Sequence, residues 1–281
     1  MEFISFIKNT PNIHSFKNII NSPYIMKIYL HQFLSRTGLF RSKEELRRAI
    51  KAGEIKIEDK VVLNPLYQFR ENKKTVYWKG KPIKARHEKI YIILNKPPNF
   101  LSSKLTREDV RLRKKSVFDL IENEKKIDDQ LKRTLFCVGR LDEDSTGLLI
   151  ITNDGDLSAK ITEPKRRIGK TYFVELIKPL KEEEIEKIEQ GITIELEENG
   201  SRYQYLTGRS KIEFFGDKKA KIIIHEGKKR EVKRIFKAVG NKVVKLERAA
   251  IGRLNLNELK LNQGEYIITD KKFIEEKIAK G

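Results

Sequence analysis

The 281-residue chain holds one cysteine (Cys137), one tryptophan and four histidines (His14, His31, His87 and His225). A single thiol excludes an internal disulfide and suits a reducing compartment. The histidines are scattered, and no Cys/His cluster has zinc-ligand spacing, so no metal is expected. Glycine-rich cofactor fingerprints are missing too, and no cofactor is expected. No apolar run approaches the roughly 20 residues that span a bilayer. Residues 1–25 lack the apolar core and small-residue cleavage site of a secretory signal. They are expected to form a flexible extension of a cytoplasmic protein that makes no use of a membrane.

Acidic residues are outnumbered, 40 Asp and Glu against 60 Lys and Arg, for a net charge of +20. Such an excess favours a polyanionic partner, because neutralising phosphates releases counterions. The excess is concentrated. Residues 26–86 carry 16 Lys and Arg against 6 Asp and Glu, half of the net charge in under a quarter of the length. Ile28, Leu30, Phe33 and Leu34 recur at helical spacing there, and Gly38 stops the helix. Ser42 precedes Glu45 by three residues, a capping box that starts a second helix with Leu46, Ala49 and Ile50 on one face. Arg41, Lys43, Arg47, Arg48 and Lys51 crowd its other faces. Short strands around Ile55, Ile57, Val61, Val62 and Val76-Tyr77-Trp78 follow.

Beyond a linker at residues 87–89 the pattern changes. Ile90 to Asn95 reads as a buried strand ended by Pro97 and Pro98. Further strands are expected at 135–138, 148–151, 170–176, 211–215, 221–225 and 242–246. Helices are expected at 117–121, 158–162 and 182–190, with a turn and then a helix across 227–239. Strands dominate without strict βαβ alternation, so the fold class expected is α+β with a mixed, mainly antiparallel sheet.

Three segments can carry chemistry. In Gly139-Arg140-Leu141-Asp142 a carboxylate follows a guanidinium by two residues, on a loop that leads into the core. Asp142 is either a nucleophile or general base with a cation nearby, or the cap of a turn. Glu143 and Asp144 raise the carboxylate pair of glycoside hydrolysis, but adjacent residues seldom face opposite sides of one bond. Tyr172 shares a strand face with Val174 and Leu176, where it stacks on a base, moves a proton or simply fills the core. Lys228-Lys229-Arg230-Glu231-Val232-Lys233-Arg234 places five cations in seven residues at a turn-to-helix junction. There Lys233 or Arg234 can reach a carboxylate, while Lys228 to Arg230 can meet phosphates.

Helix, basic helix and hairpin at 26–86 resemble the small RNA-binding domain named for ribosomal protein S-four. With that domain, several motifs in order resemble the bacterial ribosomal pseudouridine synthases. They are Leu94-Asn95-Lys96-Pro97, Gly139-Arg140-Leu141-Asp142 with Asp144, Thr146-Gly147-Leu148-Leu149, and Thr152-Asn153-Asp154-Gly155. Lys170-Thr171-Tyr172, Gly227 with Val232-Lys233-Arg234, and Arg248 with Ile251-Gly252 complete the series. The resemblance implies an S-four-type domain at 26–86 and a catalytic domain at 87–281. It implies isomerisation of a uridine in ribosomal RNA, or in an assembly intermediate, by a monomer without cofactor or metal.

In such an enzyme Asp142 is the nucleophile, and Tyr172 stacks on the target base or helps remove the C5 proton. Lys233 is the base paired with the aspartate, and Arg140 holds the space that the flipped uridine vacates. The remaining RNA contacts implied are Arg41, Lys43, Arg47, Arg48, Lys228, Lys229, Arg230 and Arg234. Lys228 stands where the family usually has Arg, Glu231 where Gln is frequent, and Gly169 where an acid often precedes the lysine. These departures bear on RNA contacts more than on chemistry. The alternative is a non-catalytic ribosome-assembly factor that kept the fold; the presence of Asp142, Tyr172 and Lys233 together weighs against it.

Overall fold

A computed structural model describes residues 27–278 except Asn199. The extension expected at 1–25 lies outside the described residues. Two compact units are present: one runs up to Ser35 and resumes over Ser42–Lys84, and the other joins Arg36–Arg41 to the chain from Ala85 onward.

Helix α1 (Leu30–Thr37) buries Leu30, Phe33 and Leu34. Helix α2 (Lys43–Lys51) is capped by Ser42, whose Oγ accepts from the Glu45 N–H at 3.1 Å. Its Leu46, Ala49 and Ile50 are buried, and Arg41, Lys43, Arg47, Arg48 and Lys51 are exposed, as the 3.6-residue period requires. An antiparallel sheet follows, in the order β2 (Lys60–Val61), β1 (Ile55–Ile57), β3 (Val76–Trp78), β4 (Lys81–Ile83).

The second unit is built on a nine-stranded sheet. In chain order its main strands are β5 (Tyr91–Lys96), β6 (Thr146–Thr152), β7 (Lys170–Leu176), β10 (Lys211–Gly216), β11 (Lys219–Ile224), β12 (Val243–Ile251) and β13 (Tyr266–Thr269). A separate hairpin, β8 (Thr193–Glu198) with β9 (Ser201–Leu206), lies between β7 and β10 in the chain. Across the sheet the order is β10-β11-β7-β12-β6-β5-β13. Among these pairings only β6 with β12 is parallel, so the sheet is mixed and mainly antiparallel, as expected.

Two clusters form the core. Ile92, Leu94, Leu149 and Ile151 join one and Ile93, Leu148 and Ile150 the other, because successive residues of β5 and β6 face opposite sides. Burial on both faces explains why these strands read as unbroken apolar runs. Helices α3 (Gly155–Thr162) and α6 (Lys271–Ile278) contribute to the second cluster; α4 (Glu182–Gln190) and α5 (Glu231–Ala238) contribute to the first.

Local differences from expectation have local causes. The α3 helix begins at Gly155 rather than Ser158, because Asp154 Oδ1 accepts from the N–H groups of Asp156 and Leu157 and turns the expected turn into an N-cap. The helix expected at 117–121 is a single 3-10 turn, Asp119–Ile121. Where β6 crosses β12, Gly147 has φ +104°, and a Cβ there would lie 2.4 Å from the Arg248 carbonyl oxygen. No side chain fits that approach.

Candidate active site

The loop between Val138 and Thr146 is held by backbone contacts at both ends. Ser102 Oγ donates to the Leu141 carbonyl at 2.8 Å and accepts from its N–H at 3.2 Å. Lys96, the last residue of β5, is fully buried, and its Nζ donates to the carbonyls of Pro97 (3.0 Å), Glu143 (3.1 Å) and Ser145 (2.7 Å). Three carbonyls match the three N–H groups of an ammonium. Burial pulls the Lys96 pKa down to about 8, against the pull of Asp144, Asp142 and Glu143. The side chain is therefore still charged at neutral pH.

Asp142 emerges from this loop with its side chain 26% exposed. Its Oδ2 lies 3.5 Å from Arg230 Nη1 and 3.6 Å from Lys233 Nζ. Both cations come from the start of α5, where Arg230 adopts φ +56° as the N-cap. Lys233 thus lies within ion-pair distance of Asp142, and its Nζ is also 2.5 Å from Asp144 Oδ1, a partner the sequence did not assign to it. Burial opposes ionisation of Asp144, but the Lys233 hydrogen bond and charge outweigh it and hold the carboxyl below the usual range. Asp144, next to Ser145, is the more exposed of the two carboxylates that Lys233 reaches.

Beside Asp142 opens a cavity of about 310 Å³, lined also by Tyr172, Lys170, Arg248 and Leu246. Tyr172 is 7% exposed, on the β7 face that also buries Val174 and Leu176. Of the cations expected to meet RNA, Arg140, Lys228 and Arg230 line this cavity, and all three are exposed. Lys229 is exposed but does not line it. Arg234 is half-buried, with Nη1 shielded and without a hydrogen-bond partner. A larger concavity of about 450 Å³ has Thr171 and Phe173 in its wall, the residues that alternate with Tyr172 and so belong to the other sheet face. Asp142 does not line it.

The cavity contains residues to which the sequence assigned no role. Glu231 is 4% exposed and accepts from the Lys228 N–H at 2.7 Å. Burial, with the Glu226 carboxylate nearby, pushes its pKa up to about 7. Lys170 is buried too, and burial with the charge of Arg248 lowers its pKa. Tyr205, from the β8–β9 hairpin, donates to Glu226 Oε2 at 2.9 Å, and Lys228 Nζ sits 4.5 Å from its ring centroid. The alternation Ile192, Ile194, Leu196 before Asn199-Gly200 was the signal for that hairpin. Cys137 is half-buried, and burial pushes its thiol up to about 12, which favours the protonated form.

The model of the RNA pseudouridylate synthase family matches residues 90–238. A protein of Aquifex aeolicus named as an uncharacterized RNA pseudouridine synthase is 35% identical over 237 residues, covering 84% of this chain and 90% of that protein. Ribosomal small subunit pseudouridine synthase A of Vibrio cholerae is 35% identical over 229 residues, 82% of this chain and 90% of that protein. A crystal structure titled as that of a pseudouridylate synthase superposes with a TM-score of 0.60 at 30% identity, covering 90% of this chain and all of that one.

Proposed function

The chain belongs to the RNA pseudouridylate synthase family, and from that premise we propose that it isomerises a specific uridine of ribosomal RNA with Asp142 as the nucleophile. The observation that carries this reading is the placement of Asp142 on the wall of a cavity it shares with Tyr172, with two cations within 4 Å of its carboxylate. The reaction requires little else. A stacked uridine must leave the RNA helix before its glycosidic bond can be reached, at a cost of a few kcal/mol that phosphate contacts offset. Arg140, Lys228 and Arg230 at the cavity rim support such contacts.

Asp142 attacks C1′ of the ribose or C6 of the ring, and the N1–C1′ bond breaks. The uracil turns in the cavity, a C5–C1′ bond forms, and the bond from Asp142 to the sugar or ring breaks and returns the free carboxylate. The C5 proton then leaves, and N1 carries a proton in the product. Tyr172 stacks on the base or assists that last transfer. Lys233 holds Asp144 and reaches Asp142, so it tethers the two ends of the loop acid pair rather than serving Asp142 alone. In this reading the basic α2 face grips RNA backbone, and the protein acts as a cytoplasmic monomer.

The test is pseudouridine mapping of ribosomal RNA from cells with and without the gene, followed by conversion of the mapped site by purified protein. One site present only with the gene, converted in vitro by wild type and not by Asp142→Asn, is the expected result. Identical maps would defeat the proposal.

A further inference from the structure

Resting on the synthase reading, we propose that Arg248 reads a carbonyl oxygen of the flipped uracil and is a specificity-determining residue of this site. Its position follows from topology. Strand β12 lies between β7 and β6, and the register sets Arg248 beside Tyr172 on one side and Gly147 on the other. Cross-strand partners share a sheet face, so Arg248 and Tyr172 reach the same cavity. Arg248 is 3% exposed, whereas Arg140, Lys228 and Arg230 on the rim are open to solvent.

The guanidinium is not satisfied by the protein. Nε donates to the Leu148 carbonyl at 2.7 Å, while Nη2 is buried without a partner. Among the described residues no carboxylate lies within 4.0 Å of Arg248. A strut for the neighbouring strand needs only the Nε contact. Nη2, buried without an acceptor on a group that carries a full positive charge, has a desolvation cost that a polar ligand would relieve.

The depth of the group selects that ligand. Backbone phosphates meet the exposed rim cations first, and only a nucleotide turned out of its stack reaches the cavity floor. The edge of uracil offers O2 and O4 as acceptors. A donor-only guanidinium at O4 would also face the amino group of cytosine, two donors against each other, which excludes that base.

The experiment is a chemical double-mutant cycle on a synthetic RNA copying the mapped site. The target position carries uridine, 2-thiouridine or 4-thiouridine, and single-turnover rates are measured for wild type and Arg248→Met. Sulfur accepts hydrogen bonds poorly, so at the contacted position the wild-type rate should fall about tenfold. Arg248→Met should be slow on uridine and lose that sulfur penalty at O4; loss of the penalty at O2, an oxygen that cytosine shares, would overturn the specificity role. Equal sulfur penalties in both proteins at both positions would overturn the proposal and leave Arg248 as a strut. If Arg248→Met fails to melt cooperatively, Arg248→Lys is read by the same change in penalty. Failure of wild type to convert the uridine RNA defeats the synthase reading itself, and so is told apart from failure of the inference.

Discussion

Two carboxylates in the loop between Val138 and Thr146 compete for one lysine, and their distances tell them apart. Lys233 lies 2.5 Å from Asp144 and 3.6 Å from Asp142. Asp144 is exposed and does not line the cavity, whereas Asp142 does. Asp142→Asn should therefore lower the turnover rate by about a thousandfold or more while RNA affinity stays nearly intact. Asp144→Asn should stay within about tenfold of wild type, since Arg230 and Lys233 still face Asp142. Filter binding and single-turnover conversion check both; equal losses would mean that Asp144 shares the chemistry. Glu231 supplies a test through stability. Its folded pKa, about 7, stands above its ordinary value of 4.5, so the folded state holds a proton that the unfolded chain releases. Stability is then unaffected below about pH 4.5, falls as pH rises towards 7, and stays reduced above it. Glu231→Gln keeps an acceptor for the Lys228 N–H and removes the titration. It should be more stable than wild type by up to about 3 kcal/mol at pH 8, with the gap narrowing towards pH 5. Thermal melts at the two pH values decide it, and a gap independent of pH would refute the assignment.

At the scale of elements, the loop that bears Asp142 owes its shape to the end of β5. Lys96→Met would leave the carbonyls of Pro97, Glu143 and Ser145 without their shared donor, at a cost of about 2–4 kcal/mol. A fall in urea midpoint together with lower turnover at undiminished RNA affinity is the expected outcome; an unchanged midpoint would show that other contacts hold the loop. Local periodicity made most elements legible. Lys170–Leu176 and Glu182–Gln190 have the bounds their patterns predict, because each buries one face in register with its own period. The β8–β9 hairpin was missed although Ile194 and Leu196 alternate with outward-facing acids, because glutamate is depleted in strands and Glu195, Glu197 and Glu198 lower the segment's strand propensity. Ordered motifs marked Asp142, Tyr172 and Lys233, but not the state of Lys96, Lys170, Glu231 or Arg248. Burial of those four depends on which strands become neighbours. The parallel pairing of β6 with β12 joins segments about 100 residues apart, as the Arg248–Leu148 bond shows, and no local pattern encodes it.

At the scale of the whole molecule, charge is unevenly placed. Half of the +20 excess falls within residues 26–86, and Arg41, Lys43, Arg47 and Arg48 are all exposed at or on α2. The cavity of the second unit carries its own rim cations, none of them among those four residues. If the α2 face meets phosphates, replacing those four residues with alanine in the full chain removes up to four counterion-releasing contacts. The slope of log affinity against log salt should then flatten by up to about 3–4, and affinity should fall most at low salt. Turnover at saturating RNA should be unchanged, because none of the four lines the cavity. Leu46, Ala49 and Ile50 remain to hold the helix, and alanine at its exposed positions favours helix, so the variant should melt like wild type. Binding measured between about 50 and about 200 mM salt is the decisive reading. A slope equal to that of wild type would take RNA binding away from the α2 face, and a matching loss of turnover at saturation would place the helix in the chemistry.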